Sequence, residues 1–65
     1  MYKVIKEICD KKGISVAQLE RDAGLGNGTI SGWKDGDVRL TNLDKVAEAL
    51  GMKTETLVKR RKERQ

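Results

Sequence analysis

The sequence lacks the residues on which many small stabilised or catalytic domains depend. It has no histidine, and Cys9 is the single cysteine among 65 residues, so the chain can form neither an internal disulfide nor a typical zinc site. A chain this short buries only about 60% of its unfolded surface. It must therefore fold by packing alone or with a partner subunit. We expect no metal, no cofactor and no enzymatic activity, since no serine or cysteine has a plausible base.

Proline and long apolar runs are also absent. There is no run of about eighteen apolar residues and no signal-peptide hydrophobic segment, so we expect a soluble cytoplasmic protein. The lone Cys9 fits a reducing compartment, and we predict that it is a small core residue rather than a reactive thiol. Alternation of β-branched residues is never sustained, which argues against strands.

The positive charge lies at one end of the chain. Residues 1–52 hold eight Lys/Arg and eight Asp/Glu, whereas residues 53–65 hold six Lys/Arg and two Asp/Glu, which accounts for the net charge of +4. Such a C-terminal excess can attract phosphate. It can equally be a solvated helix end, because cations are favoured there.

Apolar residues recur at helical spacing and predict an all-α domain with five helices. The predicted helices cover residues 2–12, 15–23, 26–34, 42–50 and 54–61, with Gly13, Gly24 and Gly51 at helix ends. Ser15 and Gln18 have the spacing of a capping box, and Thr41 and Asp44 give a second capping pattern. The buried stripes of the first and fourth helices are predicted at Val4, Ile5, Ile8, Leu43, Val46, Ala47 and Leu50.

The most informative segment is SVAQLERDAGLGNGTISGWK. Leu19 and Ala23 share one helical face, Ile30 and Trp33 share another, and Gly24 lies in the turn between them. Helices of about two turns cannot bury such faces alone, so they must pack on each other. This arrangement is a helix-turn-helix, whose second helix typically enters the DNA major groove.

The segments ISVAQL, DAGLGNGTISGW and LDKVAEALGM resemble the lambda-repressor-like family of phage repressors, Cro proteins and XRE-type bacterial regulators. The resemblance covers about residues 3–58. It implies a compact five-helix bundle, which we expect in residues 1–58. From their charge we expect residues 59–65 to form a basic, flexible tail. The resemblance also implies sequence-specific binding to double-stranded DNA at the bacterial nucleoid, usually as a homodimer on a short inverted repeat.

Two residues depart from the family pattern. The family usually has a small residue where this chain has Glu20, so we expect the Glu20 side chain to splay outward. The family often has a polar residue where this chain has Val16, so a phosphate contact would be lost there unless the backbone amide supplies it.

The resemblance places the third helix against the base edges. Asn27 is the best candidate reader, because an amide can bind adenine bidentately. Alternatives remain: Asn27 could complete the cap of the third helix, Thr29 could bond its own backbone, and Lys34 and Arg39 could be ordinary solvated charges. The residues predicted to contact DNA, or a protein partner, are Ser15, Gln18, Gly26, Asn27, Gly28, Thr29, Ser31, Gly32, Lys34, Arg39, Thr41 and Asn42.

Two functions compete. The leading hypothesis is a phage or bacterial repressor or Cro-like regulator that occupies an operator and blocks polymerase. The alternative is a protein-interaction module on the same fold, an antirepressor or antitoxin-like protein that binds a repressor or toxin. Asp35 and Asp37 favour the alternative because they would repel phosphates, and the glycines at 28 and 32 would allow close approach of either partner. Leu40, Leu57 and Val58 could form a dimer seam or cover the core.

Overall fold

The computed structural model describes residues 1–34, 36 and 38–63, and within these residues the chain is helical with no strand. There are four α-helices in the described part: α1 (Tyr2–Lys12), α2 (Val16–Asp22), α3 (Leu40–Leu50) and α4 (Thr54–Glu63). A single turn of 3-10 helix, η1 (Ser31–Lys34), lies between α2 and α3. The all-α fold class is therefore confirmed, but the count of five α-helices was wrong.

The core is formed by one stripe from each element. α1 packs against α2, η1 and α4, and α3 packs against α2 and α4. The predicted stripes are confirmed, and the buried apolar residues are Val4, Ile5, Ile8, Cys9, Leu19, Ile30, Trp33, Leu43, Val46, Ala47, Leu50 and Leu57. Leu57 thus belongs to the core, whereas Leu40 is 65% and Val58 36% exposed.

Cys9 is confirmed as a core residue, with no exposed surface. Burial raises the pKa of its thiol, and the Asp10 carboxylate raises that pKa further, against a smaller opposing effect of Lys6. Because only the thiolate is nucleophilic, this group is both inaccessible and protonated at neutral pH.

The start of α2 follows the predicted cap in part. Ser15 has extended backbone angles, and its hydroxyl oxygen accepts a hydrogen bond from the Gln18 amide at 3.0 Å. The Gln18 side chain does not return to Ser15, as a full capping box requires. Its Nε2 donates to Asp22 Oδ1 at 2.9 Å, and its Oε1 accepts from Arg21 at 2.9 Å. One half of the predicted capping box is therefore present.

The start of α3 was predicted two residues too late. Its N-cap is Arg39, which has no side-chain cap, and the Arg39 carbonyl already accepts from the Leu43 amide at 3.0 Å. Thr41 therefore lies inside the first turn and cannot cap it. Asp44 instead accepts a hydrogen bond from the Thr54 hydroxyl, which links α3 to the start of α4.

The helix ends predicted at Gly13 and Gly51 are confirmed. α4 continues to Glu63, two residues beyond the predicted end. The division into a domain ending at residue 58 and a basic tail from residue 59 stays a prediction.

Candidate nucleic-acid interface

The turn after α2 lies at Gly24, where the sequence predicted it. Gly24 has φ +73°, a conformation that residues with a β-carbon rarely adopt. The Gly24 amide donates to the Arg21 carbonyl at 3.1 Å, and the Leu25 amide donates to the Glu20 carbonyl at 2.8 Å. These two bonds close the end of α2 in the manner of a Schellman motif, and they direct the chain into residues 26–34, here called the glycine-rich segment.

The glycine-rich segment is not the α-helix that was predicted. Residues 27–30 form turns, and only residues 31–34 form a helical turn, of the 3-10 type. Gly28 has φ +87°, which interrupts right-handed helix geometry. Glycine is a poor helix former, and this segment contains three glycines. Gly26 therefore does not cap an α-helix.

Two buried side chains still hold the segment to the core. Ile30 is completely buried and Trp33 nearly so, and the Trp33 amide donates to the Ile30 carbonyl at 3.0 Å. Residues three apart lie above one another in 3-10 geometry, so both side chains reach the core without an α-helix. The residues left exposed along the segment are Gly26, Asn27, Gly28, Ser31, Gly32 and Lys34.

Asn27 presents its amide to solvent. The residue is exposed, and its side chain forms no hydrogen bond with any other described residue. The alternative in which Asn27 completes a helix cap is therefore not supported. Toward the described residues, this amide therefore retains both its donor and its acceptor for a ligand.

Thr29 bonds to the backbone of its own segment, which was the alternative to a DNA contact. It is half-buried, and its hydroxyl donates to the Gly26 carbonyl at 2.7 Å, while the Thr29 amide donates to the same carbonyl at 3.2 Å. The hydroxyl proton is thus used within the segment. Only the oxygen lone pairs of Thr29 remain for a ligand.

Glu20 is the largest departure from the sequence prediction. Its side chain does not splay outward: the residue is 3% exposed, the one buried charged residue in the described part of the chain. Its carboxylate accepts from the Gly28 amide at 3.2 Å and from the Ile30 amide at 2.7 Å. Burial of a carboxylate is costly unless donors surround it, and here two backbone amides serve. They are available because the segment has no Ser, Thr or Asp cap of its own.

Lys34 is exposed, and its side chain lies against α1. Its ammonium group is 4.6 Å from the centre of the Tyr2 ring, within the range of a cation–π interaction. An open groove beside this pair is lined by Met1, Tyr2, Lys3, Trp33 and Lys34. Sequence reasoning missed Tyr2 because its partner is distant along the chain.

The groove is lined by two lysines and by Met1, and a further cation acts on the Met1 amino group. The pKa of the α-amino group of Met1 is lowered mainly by burial and also by the charge of Arg61. Arg61 belongs to α4, which packs against α1. We name the Met1 amino group, Lys3, Lys34 and Arg61 the cationic corner.

The remaining predicted residues lie at the starts of α2 and α3. The polar side chains of Ser15 and Gln18 are engaged in the hydrogen bonds of α2. Arg39 and Thr41 are exposed and Asn42 is half-buried, and none of the three side chains bonds to another described residue. Asp35 and Asp37, which were expected to repel phosphate, lie outside the described residues.

Comparison with known proteins agrees with this geometry. Residues 4–63 match the model of the Cro/C1-type HTH DNA-binding domain. The chain belongs to this family of DNA-binding domains, and its resemblance to XRE-type regulators is confirmed. No curated protein and no solved structure matches the chain significantly. In the described part of the chain, no helix has the length and apolar character needed to cross a bilayer.

Proposed function

We propose that this protein is a transcriptional repressor or Cro-like regulator that binds an operator with its glycine-rich segment in the major groove. The exposed amide of Asn27, which bonds to no other described residue, carries this proposal. The segment behind it is fixed by Ile30 and Trp33 in the core, so the amide is presented on a supported backbone. Fixed presentation matters, because bidentate contacts to a base depend on geometry.

Few other long side chains of the segment can read bases. Ser31 can bond a base edge or a phosphate, and Lys34, Arg39, Thr41 and Asn42 supply phosphate contacts. Specificity then needs a second half-site, which a homodimer on an inverted repeat provides. The action is occupancy of DNA at the bacterial nucleoid, without catalysis or a cofactor.

The test uses duplexes selected by the wild-type chain from a randomised library. We expect Asn27→Ala to lose about 1–3 kcal/mol of preference for the selected duplex over the unselected library. Asn42→Ala makes the same chemical change at a predicted phosphate contact, and it should weaken both complexes equally. Gel shifts measure both ratios. An unchanged preference in Asn27→Ala contradicts its role as a reader.

The alternative function is a protein-interaction module, an antirepressor or antitoxin-like protein. The small exposed residues of the segment favour it, since Gly32 has open space where a β-carbon would stand, and such a flat surface fits a protein partner. In that case the wild-type chain enriches no duplex from the library. Its repressor or toxin partner, sought first in the product of the adjacent gene, then forms a stable complex with the purified chain.

A further inference from the structure

We propose that Glu20 is a positioning residue for DNA recognition: its carboxylate serves as an internal anion that orders the glycine-rich segment and keeps phosphate away from two backbone amides. This inference rests on the proposed DNA-binding function. It concerns a residue for which the family resemblance led to the opposite expectation, a side chain that splays outward.

Glu20 holds the segment through both its main chain and its side chain. The Glu20 carbonyl accepts from the Leu25 amide at 2.8 Å. The carboxylate then accepts from the amides of Gly28 at 3.2 Å and Ile30 at 2.7 Å. One residue of α2 therefore fixes the chain on both sides of Asn27.

The carboxylate replaces a cap that the segment does not have. In an ordinary recognition helix the first amides are satisfied by the side chain of an N-cap residue. Residues 26–28 are Gly, Asn and Gly, and the Asn27 side chain makes no such bond with the described residues. A charged acceptor also forms stronger hydrogen bonds than a neutral cap, which suits a segment weakened by three glycines.

The Glu20 carboxylate is itself the anion that the Gly28 and Ile30 amides bind. Successive backbone amides in a turn can bind phosphate, and DNA-binding proteins often use backbone amides in this way. Here the site is filled from within by a residue that is 3% exposed. A DNA phosphate would meet a negative charge behind these amides, so phosphate contacts must come from other residues.

Substitutions at Glu20 separate these effects by chemistry. Glu20→Gln keeps the shape and one acceptor oxygen, but its amide nitrogen cannot accept from the second backbone amide. Glu20→Ala removes both acceptors. Glu48→Gln removes the same charge from an exposed residue of α3. Val46→Ala weakens the buried core on α3 while leaving the Glu20 carboxylate in the chain.

Amide hydrogen exchange by NMR tests the positioning itself. We expect the protection of the Gly28 and Ile30 amides to fall roughly tenfold to a hundredfold in Glu20→Ala relative to amides within α1 and α3. Glu20→Gln should show a smaller loss. Glu48→Gln should show none, and Val46→Ala should lower protection throughout. Full protection of both amides in the Glu20 variants overturns the proposal.

Duplex binding tests the consequence for recognition. We expect Glu20→Ala and Glu20→Gln to lose at least about tenfold in preference for the selected duplex, while affinity for the unselected library stays equal or rises because the amides become open to phosphate. A loss of preference no greater than in Val46→Ala shows that Glu20 acts only through stability, and overturns the proposal. A wild-type chain that selects no duplex removes the proposed function and this consequence, whereas amide exchange still decides whether Glu20 orders the segment.

Discussion

At the scale of single residues, glycine occupies two positions of the glycine-rich segment for different physical reasons. Both were expected to allow close approach by a partner. Gly28 has φ +87°, so its backbone conformation alone favours glycine. Gly32 does not have a positive φ, and a β-carbon there would meet no atom within 4 Å. Only Gly32 therefore remains a candidate for close approach.

Substitution by alanine at positions 28 and 32 distinguishes a requirement for positive φ from a requirement for open space. We expect Gly28→Ala to destabilise the fold by about 1–2 kcal/mol, the cost of left-handed geometry in a residue with a β-carbon. Gly32→Ala should stabilise the fold by about 0.4–1 kcal/mol, because it reduces the freedom of the unfolded chain. Urea unfolding followed by circular dichroism measures both changes. Equal effects of the two substitutions would contradict the assignment.

At the scale of elements, the sequence predicted what short-range chemistry determines. The end of α1 at Gly13 and the start of α2 at Ser15 depend on residues within one turn. The buried stripe of α1 follows from helical spacing, and these features are confirmed.

The third element could not be predicted in the same way. Ile30 and Trp33, three residues apart, fit one face of an α-helix and also a 3-10 turn, so periodicity could not separate the two. The role of Glu20 depends on hydrogen bonds to residues eight and ten positions away. A glutamate on a packed helix face, followed by a helix start without a capping side chain, is the signal that could have indicated it.

The contact between α1 and η1 gives a prediction at this scale. Tyr2 and Lys34 form the cation–π pair, and such exposed pairs contribute about 0.5–1 kcal/mol. In a double-mutant cycle of Tyr2→Leu and Lys34→Gln, we expect a coupling of that size in the free energy of unfolding. Leucine preserves apolar contact with the core, so the cycle isolates the ring.

The control cycle pairs Tyr2→Leu with Lys45→Gln. Lys45 is an exposed lysine of α3, and it lines a different surface groove from that of Tyr2. Its coupling should be near zero in urea unfolding. If the Tyr2–Lys34 coupling is as small as that of the control, the cation–π pair does not stabilise the fold.

At the scale of the whole molecule, the packing of α4 on α1 determines where the C-terminal positive charge lies. Residues 1–52 carry no net charge, and the excess of +4 belongs to residues 53–65. α4 contacts α1, and Arg61 lies close enough to the Met1 amino group to lower its pKa. Lys34, the last residue of the glycine-rich segment, lines the same groove as Met1. Arg61, one cation of the C-terminal excess, thus acts on the Met1 amino group, and Met1 lines the groove that also contains Lys34.

This placement predicts how salt acts on DNA binding. If Arg61 contacts a phosphate, Arg61→Gln should make the fall of log affinity with log salt shallower, by about 0.9 in slope. The change should be the same for the selected duplex and the unselected library. Lys12→Gln removes the same charge from the far end of α1 and should leave the slope nearly unchanged. Titrations at several salt concentrations measure both slopes. A phosphate contact at the cationic corner should change the salt slope only when a residue of that corner is substituted. Equal changes of slope in Arg61→Gln and Lys12→Gln would therefore mean that the C-terminal cations act through net charge alone.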